Sequence, residues 1–361
     1  MSMGVPRNFD NGTIFLLQYS REQTVASFCK LIKFPKCFRL HLKKKMFTHF
    51  GRSNILCLCK RHYVRLVEVG RLNTQKLMNQ KYDTGQLFFH QIFGCRGVIL
   101  FPWLVRLYDR DIVIKADNEV GNVLKGKPHL YYQTLIDERD YPFIRSQREP
   151  VTCLGNQDAS HGLYTIRGLD YVAQEDILPY TATEKKPLQH KFFDKFLKYN
   201  RNKDPPFSAQ GTFRSWQKKN HPWLELLDVH KETTENVRVT VMSFFVGYRE
   251  SQALYWWRYC ILLENVGEQS VQLRERHWRI FSSSGTLETI RGRGVVGQEP
   301  ILSKKSTAFQ YSSYVSLETP IGHMWGTFQM EREDGHLFDC RIPEISLEGK
   351  SYYGKATCGT V

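Results

Sequence analysis

The stretch VQLRERHWRIFSSSGTLETIRGRGVVGQEPIL, residues 271–302, decides the fold. Its first eleven residues mix aromatic and branched apolar side chains with charged ones, the composition of a strand with one buried face. Ser282, Ser283, Ser284 and Gly285 then supply a hairpin turn, and a second strand leads into GRGVVG at residues 292–297. That hexamer satisfies G-x-G-x-x-G, which binds a pyrophosphate only where a strand turns into a helix whose N-terminus faces the phosphates. Here Pro300 and another strand follow, and no βαβ unit surrounds the motif. The stretch therefore reads as part of an antiparallel sheet. Its Gly-rich turn either packs or presents Arg291 and Arg293 to an anionic group or a protein partner.

The same pattern extends on both sides. NVRVTVMSFF (236–245) points Val237, Val239 and Val241 one way and Arg238 and Thr240 the other. YWWRYCILLEN (255–265), TAFQYSSYVSL (307–317), GHMWGTFQMER (322–332) and HLFDCRIPEISL (336–347) continue it. Six or seven strands in about 110 residues predict an immunoglobulin- or fibronectin-like sandwich over 236–348, with a tail at 349–361. Trp256 and Trp257 are adjacent in a strand and face opposite sides. One belongs to the core and the other to an outer face, where an aromatic would anchor a partner. The candidate partner-binding residues are Arg291, Gly292, Arg293, Gly294, Gly297 and Trp257.

Upstream, residues 184–235 read as a helical linker. Leu188, Phe192, Phe193, Phe196 and Leu197 follow helical spacing, Pro205 and Pro206 end that helix, and a second short helix runs from about 208 to 220. The aromatics serve either as an interdomain brace or as a partner-binding face. Residues 82–183 predict a small β-barrel. GQLFFHQIFGCRGVILFPW (85–103) gives two strands about a turn at Gly94 and Gly97, HLYYQTLID (129–137) a third, and LYTIRGLDYVAQEDILPY (163–180) closes the unit. Residues 115–128 and 138–160 read as polar loops.

The chain's net charge of +15 is unevenly placed. Residues 1–81 hold 16 Lys/Arg against 3 Asp/Glu, while the remainder holds 35 against 33. The body is close to neutral, which excludes a whole-domain electrostatic footprint for DNA but leaves room for a local basic patch. No acidic residue lies between Glu22 and Glu68, and basic residues there mix with Phe, Leu and Ile. That is the composition of a mitochondrial transit peptide. Met46 opens its better version, so translation from Met46 is one expectation. A disordered basic tail, or a nuclear-import or nucleic-acid arm around Lys43, Lys44 and Lys45, is the other.

Catalytic and metal patterns are missing from the sequence. There is no G-x-S-x-G elbow, H-E-x-x-H or P-loop, and the histidines do not cluster. Nine scattered cysteines form no C-x-x-C pair and fit free thiols in a reducing compartment. Glu331, Glu333 and Asp334 before Gly335 read as a solvated turn. The longest apolar run, GVILFPWLV (97–105), is too short to span a bilayer. The expectation is a monomeric binding protein without cofactor, metal or catalytic site. The competing expectations are direct DNA binding through the barrel and a nucleotide enzyme built on GRGVVG.

Two resemblances sharpen this. From about 237 to 347 the chain resembles an ApaG domain, carried by GVVG-x-x-P, Y-S-S, L-E-T-P-I-G-H-M-W-G and F-D-C-R-I-P in order. FGCRGVILFPW (93–103), YYQTLID (131–137) and YVAQEDILPY (171–180) resemble a YccV/HspQ-like hemimethylated-DNA-binding domain, an SH3-like barrel. The pair in this order resembles a family of non-enzymatic adaptors. The resemblance implies residence in the mitochondrial matrix and also the nucleus. The partners it implies are a DNA polymerase delta subunit, the sliding clamp PCNA and the ClpX unfoldase.

Overall fold

The computed structural model describes residues 13–20, 63–73, 81–112, 126–144, 146–147, 151–153, 164–182, 184 and 186–349. The expected targeting segment, the Met46 start and the tail fall mostly outside these residues, as does most of the loop expected at 115–128. All elements labelled below lie in one compact unit, to which residues 69–361 belong. The chain is mainly β.

Five strands build the first half: β1 (Leu87–His90), β2 (Arg96–Asp109), β3 (Lys127–Ile136), β4 (Leu169–Ala173) and β5 (Ile177–Ala182). They pair antiparallel in the order β5-β1-β2-β3-β4. Phe88, Ile99, Tyr132, Val172 and Ile177 fill a core between them. The turn expected at Gly94 and Gly97 holds Gly94 at φ 63°, but Gly97 lies inside β2, paired with Phe88. The expected barrel does not appear as a closed ring of ladders. β4 and β5 follow one another through a short 3-10 turn, Gln174–Asp176, and no ladder joins them among the described residues. Beyond β1, β2 instead gives the late part of that edge to β8 (Asp228–Thr234), in a parallel ladder running from Arg106 to Asp109.

The linker contributes more than helices. α1 (Phe193–Phe196) is a single turn, because the chain enters β6 (Leu197–Tyr199) at once and pairs with β7 (Phe207–Ala209). α2 (Gly211–Leu224) is the second helix expected at about 208–220, shifted three to four residues along the chain. The helical spacing at 188–197 reflects an aromatic cluster. Phe196 lies 5.1 Å from both Phe213 and Trp216, and Phe193 lies 5.1 Å from Phe207.

The second half is two sheets over one core. β8, β9 (Val237–Arg249), β10 (Leu254–Asn265) and β14 (Ala308–Leu317) form one. β12 (Leu287–Arg293), β11 (Val271–Ser282), β15 (Ile321–Arg332) and β16 (Leu337–Glu348) form the other, with β13 (Ile301–Leu302) also on β11. Val239, Val241, Trp257, Ile261 and Leu263 meet Leu273, Trp278, Met324, Phe328 and Leu347 in a shared core. The opposite face of β9 and β10, expected to carry polar groups, is buried too: Thr240, Met242, Phe244 and Cys260 are all at most 4% exposed. Tyr171 of β4 packs 4.7 Å from Phe244 and donates its hydroxyl to the Leu224 carbonyl at 2.5 Å, closing that face.

Candidate functional site

The outer face of the second sheet is the exposed counterpart of this core. Strand alternation sends Trp278 and Ile280 of β11 inward, at 2% and 4% exposure, and leaves Arg279 and Phe281 outward. The ladders then set cross-strand rows. Leu287, Phe281, His323 and Ser346 form one; Arg291, His277, Thr327 and Arg341 form another; Arg279 stands opposite Trp325 between them. Phe281 is 36% exposed, Leu287 55%, and Trp325 is half-buried. Adjacent residues in such rows sit about 5 Å apart, so these side chains make one continuous surface.

That surface is cationic. Arg279, Arg291 and Arg341 are exposed. Arg341 stands 3.6 Å from Glu232, whereas Arg279 and Arg291 make no ion pair among the described residues. Partial burial, and then the neighbouring Arg291 and Arg279, lower the pKa of His277. His323 lies 3.1 Å from the Glu344 carboxylate. β12 borders the face, and all its residues but Gly292 are exposed. Its only ladder is with β11, so its other edge carries unpaired backbone groups among the described residues.

The GRGVVG turn at the end of β12 is a closed piece of backbone. Val295 and Gln298 exchange two hydrogen bonds, of 2.8 and 2.9 Å, around Val296 and Gly297. Those two central residues have φ 44° and 75°, the signs of a type I′ hairpin turn. A β-branched residue is rarely found at positive φ, so Val296 is held there by its surroundings. Gly294 has φ 60°, and a Cβ on it would stand 2.2 Å from the Gln298 carbonyl oxygen. The Arg276 guanidinium donates to the carbonyls of Gly294 at 2.7 Å and Arg293 at 3.2 Å. Arg293 pairs with Glu299, which also accepts from Arg274 at 3.0 Å, and Arg274 reaches Glu331. The amides of Val295 and Gln298 are spent within the turn and that of Gly294 on the Arg274 carbonyl of β11, and a short strand rather than a helix follows. The turn lacks the helix N-terminus that this pattern needs to hold a pyrophosphate.

Of the residues expected to bind a partner, Arg291 and Arg293 are exposed on β12, Gly297 is exposed at the turn tip, Gly292 is half-buried and Gly294 is buried. Trp257 does not belong with them. It is 1% exposed, packs 5.6 Å from Phe245 and donates Nε1 to the Glu348 carbonyl at 3.3 Å. Trp257 shares the parity of Tyr259, Ile261 and Leu263, and that period puts it in the core. Trp256 takes the other side, with the Arg249 guanidinium 4.9 Å from its ring. Sequence reasoning missed Arg279, Phe281 and Trp325. Counting by twos from His277, on the parity opposite Trp278, finds the first two. Among the described residues, no three His, Cys, Asp or Glu side chains stand where they could hold a metal ion. Nor is any helix there long and apolar enough to cross a membrane.

Fold and face together define a mainly β protein carrying an ApaG domain: the family model of that description matches residues 247–332. Polymerase delta-interacting protein 2 of Homo sapiens is 63% identical over 281 residues, 75% of this chain and 76% of that protein. The Mus musculus protein of the same name matches equally. Protein ApaG of Methylocella silvestris is 39% identical over 122 residues, 33% of this chain and 93% of its own length. The chain belongs to the polymerase delta-interacting protein 2 family.

Proposed function

We propose that this chain is a non-enzymatic, monomeric adaptor that docks protein partners on the outer face of its second sheet. The observation that carries the reading is the continuous basic and aromatic surface of Arg279, Phe281, Trp325, Arg291 and Leu287, bordered by the open edge of β12. Large aromatics and arginines dominate binding energy at protein interfaces, and an open strand edge accepts an extended peptide as an added strand. The relatives' printed name, an interaction with polymerase delta, supports a replication partner. The family resemblance extends the partner set to PCNA and to a ClpX-type unfoldase. It also gives the halves as an SH3-like, YccV-type barrel and a fibronectin-like sandwich, joined by a linker. The acid-free basic stretch between Glu22 and Glu68 supports import into mitochondria, with a nuclear pool beside it.

The test is binding of purified DNA polymerase delta to the full chain after nuclease treatment. Phe281→Ala with Trp325→Ala, and separately Arg279→Glu with Arg291→Glu, are expected to weaken capture tenfold or more while leaving the melting temperature close to wild type. Undiminished capture by both variants moves the contact off this face. Capture that vanishes with nuclease turns the reading toward DNA binding through the first five strands.

A further inference from the structure

The charge of the folded body is not evenly spread. Residues 184–221 carry ten Lys/Arg and three Asp/Glu, a net of +7, while the other residues from 82 onward carry 25 and 30, a net of −5. Lys186, Lys191, Lys195, Lys198, Arg201, Lys203, Arg214, Lys218 and Lys219 are all exposed. The near-neutral body thus hides a dense basic patch confined to one segment.

The segment is ordered from within. Phe193, Phe196, Phe207, Phe213 and Trp216 form its own aromatic core. The Gln210 amide donates to the carbonyls of Asp194 at 2.7 Å and Leu197 at 2.8 Å, tying the α1–β6 corner to the start of α2. The ammonium groups of Lys191 and Lys195 lie 5.3 and 5.4 Å from the Phe192 ring centre, so both stems are held along one half-buried aromatic. On α2 the exposed arc carries Arg214, Lys218 and Lys219, and the helix contains no acidic residue. Between these sets the β6 strand presents Lys198 and Tyr199, the latter 48% exposed, with Arg201 and Lys203 just beyond.

We propose that this surface binds the phosphate backbone of single-stranded nucleic acid, with Tyr199 as a base-stacking platform. Cations spread over a helix, a strand and a turn, rather than gathered in a pocket, match a charged polymer. A membrane surface fits less well, because α2 turns Phe213 inward and its exposed side chains among the described residues, Thr212, Arg214, Ser215, Lys218, Lys219 and His221, are all polar. An acidic protein fits less well too, since Tyr199 is the one large exposed apolar anchor among the described residues of 184–221, on a surface where lysine and arginine outnumber the exposed Glu184, Asp194 and Asp204. The site borders the first five strands: Tyr199 and Lys203 line one cleft with Leu87 of β1 and Tyr180 of β5.

The experiment is fluorescence anisotropy of a labelled 30-nucleotide single strand against the full chain, titrated over salt. Two triple variants are compared with wild type: Lys198→Gln, Arg201→Gln, Lys203→Gln, and Arg214→Gln, Lys218→Gln, Lys219→Gln. Each removes up to three phosphate contacts, so the log–log salt slope should become shallower by about 2 and affinity near 0.1 M salt should fall on the order of 100-fold. Tyr199→Ala should cost about tenfold with the slope unchanged. The residual slope in all variants reports the basic residues of 1–81, which the substitutions leave intact. Wild-type affinity and slope in both triple variants would overturn the proposal. So would a variant-sensitive interaction with poly-glutamate or phosphatidylserine vesicles in place of the single strand. A preference for duplex that Tyr199→Ala does not touch would overturn the single-stranded assignment.

Discussion

Trp257 and Trp325 show how much one residue's side of a strand decides. Trp257 sits at 1% exposure among core aromatics, and Trp325 is half-buried on a face that no other sheet covers among the described residues. Trp257→Ala is expected to cost about 3–5 kcal/mol, the range for emptying a large aromatic site in a core. Trp325→Ala should cost under about 1 kcal/mol, as outer-face substitutions usually do. Urea denaturation of both variants checks this. Equal destabilisation would show that Trp325 is structural and would remove the outer face as a docking surface. The parity was legible in the text: Tyr259, Ile261 and Leu263 put Trp257 inward. Exposure itself was not, because no local pattern says which sheet face another part of the chain will cover. Thr240 illustrates this, since it reads as solvent-facing and is 2% exposed.

At the scale of elements, strands were read well and short helices poorly. Alternation and turn residues locate β9, β10, β11, β14, β15 and β16 to within a few residues, since each strand's period is written in its own side chains. The 188–197 segment failed because its phenylalanines cluster with Phe207, Phe213 and Trp216, partners up to 20 residues ahead in the sequence. The Gln174–Asp176 turn was invisible for a similar reason. Burial, and then the Glu264 and Glu175 carboxylates, push Asp176 up to about 7, while Lys231 and Arg238 pull the other way. Burial also raises Glu175, but the hydrogen bond with His129 and the charge of Lys231 prevail and hold it at about 2. His129 lies 2.7 Å and Lys231 3.2 Å from that carboxylate. The two neighbours therefore act on stability with opposite sign. Glu175 stabilises above its unfolded pKa of about 4.3, and its contribution fades as pH falls toward 2. Asp176 binds its proton more tightly when folded, so the fold gives up stability as pH rises from about 4 through 7. Asp176→Asn should be more stable than wild type at pH 8, by on the order of 2 kcal/mol, and the difference should shrink toward pH 4. Thermal melts of both proteins from pH 4 to 8 check it. A constant difference across that range would show that Asp176 does not titrate there.

For the whole molecule, the decisive element is one that no local pattern announces. β8 lies in the stretch read as linker, yet it pairs parallel with β2 and antiparallel with β9, joining the two halves in one hydrogen-bonded sheet. Arg106 and Asp228 hold that seam with two hydrogen bonds of 2.6 and 2.9 Å, and Arg110 reaches Glu232 at 3.3 Å. Exposed pairs of this kind contribute little singly. The ladder, the stack of Tyr108 on His230 at 4.8 Å and the burial of Phe244 under Tyr171 do more. Flexibly tethered halves would unfold in separate steps, whereas halves sharing a continuous sheet and a buried face should unfold together. Calorimetry of the full chain is expected to show a single transition for the 81–349 body, with calorimetric and van't Hoff enthalpies in agreement. Val229→Pro tests the cause, because Val229 is fully buried in β8 and proline removes its ladder N–H. It should split that transition into two, the first-half strands melting apart from the two-sheet core. A Val229→Pro chain that still melts in one step, merely at lower temperature, would show that side-chain packing across Tyr171 and Phe244 couples the halves without the ladder.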